Sequence, residues 1–217
     1  MGAMAHITII GGHGKVALRL ARLLAGRGDE VTSWVRNPDQ DADVAATGAT
    51  PTRADLEAMS LDDLTAALAG ADAVVWAAGA GGGSAERTYS VDRDAATRAV
   101  DAAVAAGVRR FVMVSYFYAK PDHGVPPDSS FYPYAVAKSE ADDAVRASGL
   151  DWVILGPSSL TDDPGTGEIE TGDGVSPSSV SRDDVAAVAA QVLARPTVNR
   201  VTIDFNTGDV PIADAVG

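Results

Sequence analysis

Cysteine is absent from the chain. That excludes disulfides, thiolate metal sites and cysteine nucleophiles. The histidines His6, His13 and His123 are scattered, so no metal site is expected. No apolar run approaches the roughly 20 residues that a membrane helix needs, although hydrophobic residues make up 46% of the chain. The opening Met1-Gly2-Ala3-Met4-Ala5 lacks the basic and apolar stretches of a secretory leader. Residues 1–4 read as a cloning remnant ahead of a single domain over residues 5–217. The expectation is a water-soluble, cytoplasmic chain with no membrane partner.

Positive charge is also scarce. Lys+Arg number 17 against 30 Asp+Glu, a formal net charge of −13. Such a surface repels nucleic acid, so no nucleic-acid partner is expected. An anionic ligand then needs a local positive patch, and each basic residue near a ligand loop carries information.

The most informative stretch is His6-Ile7-Thr8-Ile9-Ile10-Gly11-Gly12-His13-Gly14-Lys15-Val16-Ala17. A β-branched run ends in a glycine-rich turn that opens into a helical pattern. Strand, tight turn and helix together place backbone N–H groups and a helix N-terminus where a pyrophosphate can sit. Gly11 can take a strained turn conformation, and Gly14 lets a ligand approach the backbone. The segment therefore reads as a dinucleotide site built from Gly11, Gly12, His13, Gly14, Lys15 and Val16. His13 at the loop tip shapes the loop, and Lys15 either screens phosphates or is simply solvated.

Strand-like and helical runs alternate along the rest of the chain. Strands are expected at 6–10, 30–35, 50–53, 73–77, 110–115, 152–155 and 200–205. Helices are expected at 15–25, 39–47, 61–69, 89–106, 134–148 and 182–194. The alternation predicts an α/β fold, a doubly wound parallel sheet with helices on both faces. Two segments break the rhythm. Residues 119–133 are rich in Pro and Asp, and residues 157–180 are rich in Gly, Ser, Thr and Asp. Both follow late strands, so they wall a substrate pocket or serve as surface linkers.

Further candidates lie at strand ends. Arg36 follows the second strand, where an acid would hold a ribose 2′-hydroxyl and a base accommodates a 2′-phosphate; this favours NADP over NAD, with a solvated loop Arg as the alternative. Asp55 and Leu56 follow the third strand, where an adenine edge would lie; Asp55 can equally cap a helix. Ala78 and Gly79 follow the fourth strand and are small enough for a cofactor to pass. Ser115 ends the fifth strand and either polarises a substrate carbonyl or bonds to backbone. Tyr116, Phe117 and Tyr118 come next and can line a pocket for a flat or apolar substrate. Tyr134 and Lys138 are four apart and share a helix face. A nearby ammonium lowers a phenol's pKa, which would let Tyr134 exchange a proton near neutral pH. A Tyr packed under the loop and a Lys serving as a capping charge remain the alternative.

Together these residues resemble the short-chain dehydrogenase/reductase superfamily. The likeness is to its small atypical, NAD(P)H-binding and NAD-dependent epimerase/dehydratase-like branch, which includes biliverdin reductase B-like flavin reductases. Gly11 to Ala17, Val35-Arg36-Asn37-Pro38, Gly70 to Val75, Ala106 to Ser115 and Ser181 to Ala186 carry the resemblance. It implies a Rossmann sheet with a reduced C-terminal substrate lobe formed by 119–133 and 157–180. It also implies catalytic roles for Tyr134, Lys138 and Ser115. Many members have a second Ser after the first, where this chain has Tyr116. Relatives often read Arg-Pro after the sixth strand, where Gly156-Pro157 stands here, so the pocket is expected to lack that cation. The leading expectation is an NADP(H)-dependent oxidoreductase acting on a small-molecule carbonyl, quinone or flavin-like substrate, as a monomer or homodimer. A non-catalytic NADP(H) sensor and an NAD-dependent epimerase or dehydratase are the alternatives.

Overall fold

The computed structural model describes residues 4–81, 84–172 and 174–217. Met1, Gly2 and Ala3 of the expected remnant, and Asp173 of the 157–180 segment, lie outside the described residues.

The chain alternates as follows. It begins with β1 (His6–Ile10), α1 (Lys15–Arg27), β2 (Glu30–Val35), α2 (Asp41–Ala45) and β3 (Thr50–Arg53). Then come α3 (Leu61–Leu68), β4 (Ala73–Trp76), α4 (Ala85–Thr88), α5 (Ala96–Ala105) and β5 (Arg110–Val114). The second half holds α6 (Tyr132–Ala147), β6 (Asp151–Pro157), β7 (Ser159–Thr161), β8 (Glu168–Thr171) and β9 (Ser179–Ser181). It ends with α7 (Arg182–Ala194), β10 (Val201–Thr207), β11 (Val210–Pro211) and α8 (Ile212–Ala215). One sheet runs β11-β8-β10-β6-β5-β4-β1-β2-β3. Neighbours from β10 to β3 are parallel. The chain winds outward from β1 to β3 and returns to β4 on the other side of β1. The crevice at that reversal opens beyond the carboxyl ends of β1 and β4.

Period-two alternation sends neighbouring side chains to opposite faces of the sheet. Ile7, Ile9 and Val75 face one core with Leu20 and Leu24 of α1 and Val185 and Val188 of α7. Ile10, Val74 and Trp76 face a second core with Leu64 of α3, Val100 of α5 and Val145 of α6. Burial on both faces explains why these strands read as near-continuous apolar runs.

The structure departs from the expected pattern in four places. The sheet is not wholly parallel: β8 runs antiparallel to β10, and β11 antiparallel to β8. Both are short, and β11, two residues long, is the sheet's edge, so their mixed sequences carried no apolar signal. The expected helix over 39–47 is a 3-10 turn at Pro38–Gln40 followed by α2, because Asn37 caps the turn through its side chain at Asp39 N. The expected helix over 89–106 holds a π-helical stretch over Tyr89–Ala95 between α4 and α5. And α6 begins two residues early, with Pro133 in its first turn, where its missing N–H costs no bond.

The 157–180 segment is not a bare linker. It carries β7, β8 and β9, with β7 paired to β9. Buried Asp184 of α7 holds it down. Its carboxylate accepts from Thr166 N at 3.0 Å, Gly167 N at 2.8 Å and Ser181 Oγ at 2.9 Å. Hydrogen bonds to a charged group stabilise by about 1.5–3 kcal/mol each at most, and the first two donors regain water when released. Asp184→Ala should therefore lower unfolding free energy by about 2 kcal/mol in urea denaturation. It should also open residues 162–167 to limited proteolysis; unchanged cleavage would contradict the tether.

Candidate functional site

Two adjoining cavities lie along the reversal crevice and share Gly14, Ala77, Ala78 and Gly79 as their common wall. The first, about 280 Å³, runs from Gly11, His13 and Gly14 to Arg36, Asp55 and Leu56. The second, about 770 Å³, is lined by Lys15, Val16, Ser115, Tyr134 and Lys138 among others. Of the fourteen site residues expected from the sequence, Gly12 alone lines neither. Its N–H donates to Trp34 O at 2.8 Å, and a Cβ there would stand 2.6 Å from Ser33 Cβ. Gly12 packs the turn onto β2 instead of facing the crevice.

The glycine loop is built by backbone geometry. Gly11 has φ 86°, and a Cβ on it would lie 2.5 Å from the backbone of Ala78. Only glycine meets both demands. Gly14 is different: φ −60° and ψ 146° suit any residue. Its need is for space, since a Cβ would stand 3.2 Å from Gly11 O and 3.6 Å from Ala77 O. Gly14 is also the N-cap of α1 and supplies no side-chain cap. The first-turn N–H groups of α1 are thus left to a ligand or water, as an anion site requires.

The basic residues around the loop are paired. Arg36 Nη1 lies 3.3 Å from Glu57 Oε1, and Arg87 Nε lies 3.4 Å from the same oxygen. Lys15 Nζ donates to Asp162 Oδ2 at 2.6 Å, and Arg182 Nη1 reaches Asp162 Oδ1 at 3.1 Å. Arg182 lines the second cavity. No cation stands at Gly156-Pro157, and Arg182 from the start of α7 is among the cations that line this cavity. His13 Nε2 meets Asp43 Oδ2 at 2.8 Å and ties the loop to α2. Asp55 caps no helix: its Oδ1 accepts from Glu57 N at 3.2 Å in a turn, and α3 is capped by Ser60.

Around the second cavity, α6 brings Tyr134 and Lys138 to the end of β5. Lys138 is fully buried and donates through Nζ to Val114 O at 2.8 Å, with Met113 Sδ at 3.5 Å. It does not donate to the Tyr134 hydroxyl. Burial pulls the ammonium below its ordinary pKa, while Asp142 and Asp92 support its charge. The Tyr134 phenol is pushed well above its ordinary pKa, first by burial and then by Asp92, Asp142 and Tyr116. The expected lowering by Lys138 is thus reversed, because two carboxyls and a dry pocket outweigh one amine engaged elsewhere. Ser115 Oγ donates to buried Asp142 Oδ2 at 2.6 Å, so its hydrogen points away from the cavity. The backbone bond considered for this hydroxyl is replaced by a carboxylate.

Tyr116, at the position of the missing second Ser, does not extend the hydroxyl series. Its ring stands 5.6 Å from Tyr134 and 5.4 Å from Phe131, and Phe131 stands 5.3 Å from Tyr134. These three rings pack together, but of them Phe131 and Tyr134 alone line the second cavity and form its aromatic wall. Tyr116, Phe117 and Tyr118 line neither cavity, because Phe117 is buried in the fold and Tyr118 faces outward, which corrects the expectation for that run.

Sequence reasoning missed Asp92, Asp142 and Arg87. Asp92 lines the second cavity and accepts from Ala80 N at 3.0 Å. Its signal was present: Asp92 shares a helical face with Ala95, Ala96 and Ala99, all buried. Asp142 sits four residues after Lys138 on the buried face of α6. A charge on an apolar stripe is informative because burying it needs a partner. Arg87 had no such signal, since its helix α4 is a single turn that only the tertiary fold brings to the crevice.

The profile of the NAD(P)H-binding family matches residues 11–196. The chain belongs to this family. A Bacillus subtilis protein named the uncharacterized sugar epimerase YhfK is 37% identical over 97% of this chain and 98% of its own. A solved structure from Bacillus halodurans, named provisionally as an NAD-dependent epimerase/dehydratase, is 33% identical with a TM-score of 0.89, covering 98% of both chains. The oxidoreductase ylbE from Lactococcus lactis is 25% identical with a TM-score of 0.85, covering 97% of this chain and 94% of its own. The fold of this NAD(P)H-binding chain is the Rossmann-like α/β fold of these neighbours. No helix among the described residues is long and apolar enough to cross a membrane.

The raised Tyr134 pKa has a direct optical consequence. In an alkaline absorbance titration, Tyr134→Phe should match the parent through about pH 10, the ordinary phenol value. Loss of an ionising component below that pH would show that Tyr134 is not shielded as described.

Proposed function

We propose that this family member is an NADP(H)-dependent oxidoreductase that passes hydride to or from a small carbonyl, quinone or flavin-like substrate. The observation that carries the reading is the junction of the two cavities. The uncapped N-terminus of α1 lies beside one, and Tyr134, Lys138 and Ser115 line the other. In this reading residues 5–217 act as one NAD(P)-binding domain, with 119–133 and 157–180 as its substrate lobe. The setting we infer is cytoplasmic, as a monomer or homodimer, with no nucleic-acid or membrane partner.

The residues present fit such a cofactor. The first cavity has room at Gly14 that a Cβ would narrow, and small Ala78 and Gly79 continue the path into the second. Gly11, His13 and Gly14 would hold the pyrophosphate with the first turn of α1, including Lys15 and Val16. Asp55 and Leu56 would border the adenine, and Arg36 would meet a 2′-phosphate. When bound, the cofactor supplies or accepts a hydride. Tyr134 keeps its proton at neutral pH and is suited to give it to a developing alkoxide oxygen. Lys138 holds positive charge under the site and orients its floor through Val114 O. The aromatic wall favours a planar, weakly polar substrate that can stack on it. Sugar epimerisation, the reading drawn from the name of the Bacillus subtilis relative, is disfavoured by that wall.

Two experiments test the reading. A charge-assisted contact from Arg36 to a 2′-phosphate contributes about 1.5–3 kcal/mol, roughly ten- to hundred-fold in affinity. NADPH should therefore bind more tightly than NADH by that factor in calorimetric titration, and Arg36→Ala should erase the preference. Equal binding by the parent would remove Arg36 from the site. Second, among quinone, carbonyl and flavin acceptors, one should consume NADPH, and Tyr134→Phe should slow that turnover by about 10²–10⁴ while leaving NADPH affinity intact. An unchanged rate would mean that the proton comes from solvent.

A further inference from the structure

Beneath the second cavity lie two buried carboxyls and one buried amine. Asp92, Asp142 and Lys138 are each almost wholly shielded from solvent. Both acids act on Lys138, and their charges do not balance: with all three ionised, the group carries one negative charge in a dry interior. Such a charge is expensive, and a proton taken up by one acid removes it. The geometry says which acid is less well served. Asp92 Oδ2 accepts from Ala80 N, and Arg87 adds further support to its charge. Asp142 Oδ2 accepts from Ser115 Oγ, and its other oxygen, Oδ1, is buried with no partner. An unpartnered buried carboxylate oxygen is what protonation neutralises.

We propose that Asp142 is a positioning residue whose protonation sets the direction of the Ser115 hydroxyl. As a carboxylate it takes the hydroxyl hydrogen, and Ser115 shows the cavity lone pairs alone. With the proton on Oδ2, the oxygen that faces Ser115, the acid donates to Ser115 Oγ, Oδ1 becomes a neutral carbonyl oxygen, and the hydroxyl hydrogen turns into the cavity. The inference rests on the redox reading of the preceding subsection for its effect on turnover. The first state suits a substrate alcohol, whose hydroxyl Ser115 can accept. The second suits a carbonyl, whose oxygen Ser115 can then polarise alongside Tyr134. The proton that Asp142 gains or loses is exchanged with solvent, and no bond other than O–H changes.

Burial pushes the Asp142 carboxyl up to about 6, against the opposing pull of Lys138, Ser115 and Arg146. Asp143 on the same helix pushes the other way and pairs with Arg146 at 2.7 Å. Tyr134 and Tyr116 face the site as neutral phenols, and Asp92 faces it across Lys138. The switch therefore falls within the working range of an enzyme. Its sign is fixed. The folded-state pKa lies above the ordinary value of 3.8. The stability that this neutral acid contributes is full below that value and is lost as pH rises through about 6.

The test uses the whole chain in three forms: the parent, Asp142→Asn and Ser115→Ala. First, denaturation midpoints are measured from pH 4.5 to 7.5 without cofactor or substrate. The parent should lose stability relative to Asp142→Asn as pH rises through about 6. Ser115→Ala should move that midpoint upward, because the carboxylate loses its donor. A flat difference, or a midpoint unmoved by Ser115→Ala, would overturn the proposal. Second, kcat with NADPH and a planar diketone such as phenanthrenequinone is followed over the same range. In the parent, reduction should quicken several-fold as pH falls through the same midpoint, and Asp142→Asn should lack that limb. A shared limb, or a flat profile in an active parent, would also overturn it. If no acceptor is turned over at all, the redox reading fails, while the stability measurements still decide the Asp142–Ser115 coupling.

Discussion

The constraint on which the site depends is the close approach of Gly11 to Ala78. The turn after β1 and the turn after β4 touch so closely that no side chain fits between them. That contact sits where the sheet reverses direction, so it determines how the carboxyl ends of β1 and β4 are spaced. It also sets where α1 begins, because the backbone turn at Gly11 aims Gly14 and the first turn of α1 at the crevice. The seam shared by the two cavities is made of the same few small residues. A bulkier residue here would not merely block a ligand. It would wedge the two halves of the doubly wound sheet apart and misplace the helix that faces them.

Electrostatics divides the crevice into two regimes. In the outer one, Arg36 with Glu57 and Lys15 with Asp162 are exposed pairs. Such pairs contribute little to stability and exchange easily. An arriving phosphate can take over these cations at small cost, so an acidic chain keeps its few bases available without leaving them unbalanced. In the inner regime, Lys138, Asp92 and Asp142 are buried, and water cannot screen them. There a single proton changes the balance. The same acids that steady Lys138 also hold the Tyr134 phenol neutral. The two regimes suit two tasks, binding a charged ligand at the mouth and controlling protons at the floor.

Much of this was legible in the sequence, and the reason is local. The glycine loop, the strand–helix alternation and the pairing of Tyr134 with Lys138 on one face all follow from spacings of a few residues. Helix and strand periods write those spacings directly into the chain. Legibility failed where long-range packing decides. Strands β8 and β11 are too short and mixed to show a periodic apolar pattern. The π-helical stretch at Tyr89–Ala95 keeps a helical composition, so its residues do not set it apart from α4 and α5. Asp142 and Asp92 were visible as charges on buried faces, but their partners lie on other elements.

Residue order by itself determined that a strand must turn sharply at Gly11 into a helix, that helices alternate with buried strands, and that Tyr134 and Lys138 face the same way. These depend on backbone sterics and side-chain periodicity within a single element. Tertiary structure decided that Gly12 packs on β2, that Arg182 reaches the second cavity, and that Ser115 gives its hydrogen to Asp142. It also reversed the effect expected on Tyr134. A phenol's pKa depends on the dielectric and on every charge within reach, and those are set by elements distant in the chain that folding brings together.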